Sequence, residues 1–252
     1  KKLCKKYQIQ FMSTPFDNEA VDMLDRIGVS AFKIASCDIT NFPLLKKVAQ
    51  KKKPMFVSTG ASNIEEIKKA LSYISRFNKK ICLMQCTLSY PTKPEDANLL
   101  ALNDFKKNFK NVSLGLSDHT LGYKIAAASV LLGVRAIEKH YTYNKGLKKS
   151  ADHWLSINSL ELKKLREDVD LLVSACGDGK KKVLKCEHLT RKLARRSLVA
   201  KKFIKKGERI TENSLIPKRP GTGISPDHIS SIIGKKAKRN IQKDTLLKES
   251  HF

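Results

Sequence analysis

The sequence predicts a parallel α/β domain of the (β/α)8 TIM-barrel type that lacks its first two strands, followed by a small C-terminal β-rich domain. Three observations lead there. Short apolar runs alternate with longer amphipathic stretches up to about residue 176, the pattern of βα units around a parallel sheet. Each apolar run finishes in polar residues, which a barrel gathers at one mouth. From Arg195 the text changes to short runs broken by Gly207, Pro217, Pro220, Gly221 and Gly223.

The strand candidates are Ile9 to Ser13, Ala31 to Ala35, Met55 to Ser58, Ile81 to Gln85, Ser113 to Leu116 and Val134 to Glu138. Asp17 is placed to cap a helix carrying Ala20, Val21, Leu24 and Ile27 on one face, with Gly28 as its left-handed stop. Asn63 likewise precedes IEEIKKALSYI, whose early carboxylates suit the helix dipole. A further helix is expected over Leu160 to Cys176, ending at Gly177. The domains are then 1–176, a partial barrel; 177–194, a polar linker; and 195–252, the small domain. Barrel closure takes eight strands. With six runs, and Lys1 where a Met would stand, two strands are expected upstream, and this chain alone is expected to be inactive.

At 252 residues, 41% hydrophobic and 29% charged, the composition excludes disorder and collagen. No apolar run approaches the 18 residues of a membrane span and no signal stretch follows KKLCKK, so a cytoplasmic protein without a membrane partner is expected. The net charge of +26 raises nucleic acid as a partner. Lysines are instead spread along the chain in pairs and triplets without interleaved aromatics, which argues for a solvated basic surface that attracts small anions. A polyanion-binding protein is the distant alternative. Cys4, Cys37, Cys82, Cys86, Cys176 and Cys186 show no C-x-x-C spacing, as expected of reduced thiols.

The strand ends carry the candidate chemistry. GLSDHT ends one strand with His119 and IEKHYT ends the next with His140, so two imidazoles at one level can reach one metal ion; ordinary hydrogen-bonded histidines are the alternative. Asp118 and Glu138 are nearby carboxylates able to orient ligands or exchange protons. Lys33, Ser36, Ser58, Thr59 and the Gly60 turn form a possible phosphate cradle, against which stands a lysine that snorkels outward. The Pro-rich SYPTKPEDANL loop exceeds a minimal βα turn and presents Tyr90, as a ligand group or for packing; ADHW, Ala151 to Trp154, is a similar loop.

The ordered set STPFD, FKIAS with TNFPLL, VSTGAS, QCTLSYP with EDANL, GLSDHT, EKHYT and ADHWLS resembles the N-acetylneuraminate (sialic acid) synthase family. KRPGTGIS and IGKKAKRNI resemble its antifreeze-like SAF domain. The resemblance implies condensation of phosphoenolpyruvate with an N-acetylmannosamine-type aldose, giving a nine-carbon keto acid and phosphate. It implies His119 and His140 as ligands of a divalent metal, Mn with Mg or Co as alternatives, and Lys33 and Glu138 as catalytic residues. Thr14, Lys33, Ser36, Ser58 and Ser117 match positions around phosphoenolpyruvate; Asp38, Tyr90, Glu138 and Asp152 match positions near the sugar. Arg219 matches an arginine that reaches the partner's barrel in a domain-swapped homodimer. A family segment holding two strands, an acidic residue and a lysine has no counterpart here. Cys37 with Asp38 replaces the commoner Gly-Glu, and Leu88 stands where many members have asparagine; legionaminate or pseudaminate synthesis, or a phosphorylated mannosamine acceptor, is the alternative.

Overall fold

In the computed structural model, which describes residues 1–148 and 152–252, capping residues and apolar spacing set the elements in order. The chain divides into two units, Lys1–Asp178 and Gly179–Phe252. The first begins with α1, Lys2–Lys6, which buries no side chain. In α2, Asn18–Ile27, the Asp17 carboxylate accepts from the Ala20 amide at 2.6 Å, Val21 and Leu24 are buried, and Gly28 closes the helix at φ 76°. Then follow β1 (Phe32–Ile34), α3 (Phe42–Gln50), β2 (Met55–Ser58) and α4 (Ile64–Ser75). Asn63 and Glu66 cap α4 reciprocally, each bond 2.9 Å, a device that contributes about 1 kcal/mol. β3 (Ile81–Cys86), α5 (Ala101–Asn108), β4 (Ser113–Asp118), α6 (Lys124–Ala128), β5 (Ala136–Lys139) and α7 (Ser159–Cys176) complete the unit.

All neighbouring strands pair in parallel in the order β1-β2-β3-β4-β5, so each helix crosses to the next strand in turn. The sheet curls. Laid flat, β1 and β5 would stand roughly 19 Å apart at the usual strand spacing, beyond the joint span of a lysine and a glutamate. Yet Lys33 Nζ on β1 lies 3.2 Å from Glu138 Oε2 on β5. β3 at the centre is buried at every position, and Phe32, Ile34, Leu45, Met55, Ile74 and Leu83 form the middle of the core.

The expected barrel appears as this curled half-barrel, five strands among the described residues. The run Ile9 to Ser13 is not one of them. It contributes a single bridge, Ser13 to Phe32, with a 3.5 Å bond from the Lys33 amide to the Ser13 carbonyl. Ile9 is largely exposed and its amide bonds back to Cys4, so the start of the run belongs to the end of α1. β5 begins two residues later than expected because Gly133, at φ 82°, ends a helical turn and Val134 packs in the connection. Within the expected loop ADHW, Ala151 lies outside the described residues.

The second unit holds α8 (His188–Ala194) and the antiparallel pair β6 (Ser197–Ala200) and β7 (Leu215–Lys218). Leu198, Ile204, Ile210, Ile241 and Leu247 make its core. The stretch expected as an unpatterned linker, 177–194, therefore contains a helix; α8 has no buried residue, so no apolar stripe marked it in the sequence. No helix among the described residues is long and apolar enough to cross a membrane.

Candidate functional site

The carboxyl ends of β1 to β5 surround a cleft of about 470 Å³, within the range of small-molecule sites. Thr14, Lys33, Ser36, Ser58, Tyr90, Ser117, His119, Glu138 and His140 all line it. Strand alternation explains the grouping: Ser117 pairs in register with Glu138, and the residues two further on are the histidines.

One half of the cleft gathers a lysine, serine hydroxyls and a glycine turn. Lys33 is buried, its ammonium 3.2 Å from Glu138 and 3.1 Å from the Ile34 carbonyl. Ser36 Oγ accepts from the Gly60 amide at 2.9 Å, fixing the turn after β2. A Cβ at Gly60 would stand 2.8 Å from that oxygen and 3.1 Å from Cys86 Sγ, so only glycine permits the approach. The Ser58 hydroxyl is buried with no hydrogen-bond partner, the sole such side-chain atom among the described residues. An unpartnered buried hydroxyl costs about 1–3 kcal/mol, which a ligand oxygen would offset.

The other half holds the imidazoles. His119 Nδ1 is 2.9 Å from the Thr87 carbonyl, so it donates there and leaves Nε2 for a ligand. The two rings lie with centroids 5.4 Å apart. Tyr90 packs 4.1 Å from the His119 ring and edge-on to His140. Burial, then the neighbouring His119, holds His140 below the ordinary histidine value, against the opposing pull of Asp152 and Glu138, and so favours the neutral ring. Burial raises the Tyr90 hydroxyl, with Cys86, Asp152 and Glu138 adding to it, so it stays protonated. Two adjacent imidazoles with oxygen partners near Nδ1 suit a divalent ion. Among the described residues no group of three or more His, Cys, Asp or Glu side chains could hold a metal.

Some expected residues stand elsewhere. Asp38 does not line the cleft; its carboxylate accepts from Asn41 at 3.1 Å. Asp152 stands behind His140, Oδ2 to Nδ1 3.7 Å. Arg219 belongs to the second unit, where its Nε donates to the Ala194 carbonyl. Asp118, expected to orient ligands or exchange protons, does line the cleft, and it is bound to Lys139 Nζ at 2.8 Å in a pair whose side chains are 3% and 4% exposed. Cys86 and Lys139, given no role beyond their place at strand ends, and Phe16, which was not singled out, also line the cleft. Cys86 was within reach of sequence reasoning as the last residue of its run, whereas Lys139 becomes meaningful only once the β4–β5 register is known.

A curled parallel sheet with Lys33, serine hydroxyls and paired imidazoles at its strand ends defines the class: an α/β domain of the barrel type. The NeuB family profile matches residues 1–181 and the SAF domain profile residues 195–252, and the chain belongs to the NeuB family with a SAF domain behind it. N,N'-diacetyllegionaminic acid synthase of Campylobacter jejuni is 43% identical over 97% of this chain and 74% of its own length. A pseudaminic acid synthase of the same species is 37% identical over 95% and 69%. The crystal structure of N-acetylneuraminic acid (sialic acid) synthetase from Leptospira borgpetersenii, in complex with citrate, superposes with a TM-score of 0.71 at 35% identity, covering 75% of this chain and 66% of that one. The relatives are thus synthases of sialic-acid-type sugars.

Proposed function

We propose that the cleft condenses phosphoenolpyruvate with an N-acylated mannosamine-type aldose to give a nine-carbon 2-keto acid and inorganic phosphate. The observation that carries this reading is the orphaned Ser58 hydroxyl in the cleft that Lys33 also lines: a buried donor without a partner in a cleft with a buried cation. Lys33, Ser36, Ser58, Ser117 and Thr14 hold the phosphate and carboxylate of phosphoenolpyruvate. His119 and His140 would hold a divalent ion, Mn with Mg or Co as alternatives, which when bound would polarise the aldehyde as a Lewis acid. C3 of phosphoenolpyruvate then bonds to the aldehyde carbon as its C=O π bond opens. Water adds at C2, and Glu138 Oε2 accepts one of its protons and passes it to the former aldehyde oxygen. The bond between C2 and the bridging phosphate oxygen then breaks as the new C2 hydroxyl becomes the ketone, its remaining proton leaving with the phosphate. Tyr90, which lines the cleft, orients the sugar.

Leu88 and Phe16, both exposed in the cleft wall, favour an acceptor that turns a methyl or second N-acyl group toward them, as for a diacetylated legionaminic-type product. In the same reading a homodimer forms in which Arg219 of one protomer completes the partner's cleft. Mixing Arg219→Ala and His119→Ala subunits is expected to restore part of the activity; no recovery in proven heterodimers contradicts the exchange. For the reaction itself, phosphate release from phosphoenolpyruvate with Mn²⁺ is measured with N-acetylmannosamine and with its 2,4-diacetamido-6-deoxy analogue. Release that requires an aldose is expected, faster with the diacetamido sugar. Release with neither sugar, from folded full-length protein, overturns the proposal.

A further inference from the structure

We infer that the buried Asp118–Lys139 ion pair is a positioning clamp that sets the spacing of the His119 and His140 rings, an inference that rests on reading those rings as metal ligands. Asp118 and Lys139 are the last residues in register between β4 and β5, and each directly precedes one of the histidines. Beyond them the two segments part. The His119 carbonyl accepts from the Thr92 amide at 3.0 Å, and the His140 carbonyl accepts from the Ile157 amide at 2.9 Å. No backbone bond then ties one histidine to the other, and the clamp is the last polar tie before them.

The clamp grips both sides of His119. Lys139 Nζ donates to Asp118 Oδ2, before the histidine, at 2.8 Å and to the Thr120 carbonyl, after it. The Thr120 amide and hydroxyl each donate to the Asp118 carboxylate at 3.0 Å, closing the three-residue loop that carries the imidazole. Lys139 belongs to the segment of His140, so its ammonium joins the two ligand-bearing segments directly. A buried ion pair is weak support for stability, because two apolar side chains of similar volume often serve as well. What it adds is direction: the charges and donors meet in one arrangement, and that arrangement fixes where the rings stand. Outer partners of this kind typically change metal affinity by about 10- to 100-fold when removed.

The test uses Asp118→Asn/Lys139→Met, which removes both charges while leaving an acceptor for Thr120, with Lys139→Arg as the conservative variant. Titration of the full-length protein with Mn²⁺ alone is expected to show affinity about tenfold weaker or more in the double variant, at unchanged circular dichroism, and within about threefold of the parent in Lys139→Arg. If the double variant does not fold, Asp118→Asn alone is read against the same threshold. In the metal-free protein, imidazole nitrogen shifts are expected to show the Nδ1–H tautomer of His119 in the parent and an averaged mixture in the double variant. Mn²⁺ affinity within twofold of the parent, or unchanged nitrogen shifts, overturns the clamp. A parent that binds no Mn²⁺ overturns the metal reading, and the nitrogen shifts then decide the clamp by themselves.

Discussion

Where β4 and β5 end, Asp118, Lys139 and Thr120 satisfy one another and His119 Nδ1 is bonded to Thr87, so the protein completes its own polar groups and leaves ring nitrogens facing the cleft. Where β1 and β2 end, the Ser58 hydroxyl has no partner and Lys33 meets a half-exposed Glu138. The difference separates two tasks. In the proposed reaction the imidazole half would be the part preorganised by the fold to hold a metal ion, while the half around Ser58 would be completed by substrate oxygens.

Substitutions should break the two halves differently. The largest loss is expected from His119→Ala or His140→Ala, roughly a thousandfold or more in turnover, with Mn²⁺ no longer stimulating; the check is steady-state phosphate release across a Mn²⁺ series. Ser58→Ala is expected to weaken phosphoenolpyruvate binding about tenfold, roughly 1.4 kcal/mol. It should also leave thermal stability unchanged or raise it by about 1 kcal/mol, since it deletes an unsatisfied buried group. Calorimetric titration and a melting curve on the same sample read both effects, and a destabilised variant would show that Ser58 serves the fold.

A smaller, selective effect is expected from Leu88→Asn, a several-fold shift in kcat/KM from the diacetamido toward the hydroxylated acceptor, read by direct competition. The smallest concerns an exposed counterpart of the buried clamp. Asp22, paired at 2.8 Å with both Lys47 and Lys51, has its pKa lowered from an ordinary 3.8 to about 2, chiefly by those two hydrogen bonds. A lowered carboxylate stabilises the fold above its unfolded value, and that contribution is lost as pH falls through about 2. The melting difference between the parent and Asp22→Asn should therefore be small at pH 6, shrink below pH 4 and vanish near pH 1, because solvent screens such pairs.

The strand ends were legible because buried parallel strands read as unbroken apolar runs, and the polar residue that stops each run is the one delivered to the cleft. Met55 to Ser58 and the serine of GLSDHT show this directly. Ile9 to Ser13 was misread because its mixed run has one neighbour, β1, and α1 draws its first amide away. The partner of Asp118 was out of reach for another reason. The role of Asp118 depends on the register that sets it opposite Lys139, and register is a property of two strands that neither strand's residues disclose. Leu88, by contrast, was singled out from the sequence and does line the cleft.

The most direct test of the central claim is a crystal structure of the full-length protein with phosphoenolpyruvate and Mn²⁺. The expected result places phosphate or carboxylate oxygens within hydrogen-bond distance of Lys33 Nζ and Ser58 Oγ, and Mn²⁺ on Nε2 of His119, with His140 as its second nitrogen ligand. Phosphoenolpyruvate bound away from Lys33 and Ser58, or Mn²⁺ held by neither imidazole, would contradict it.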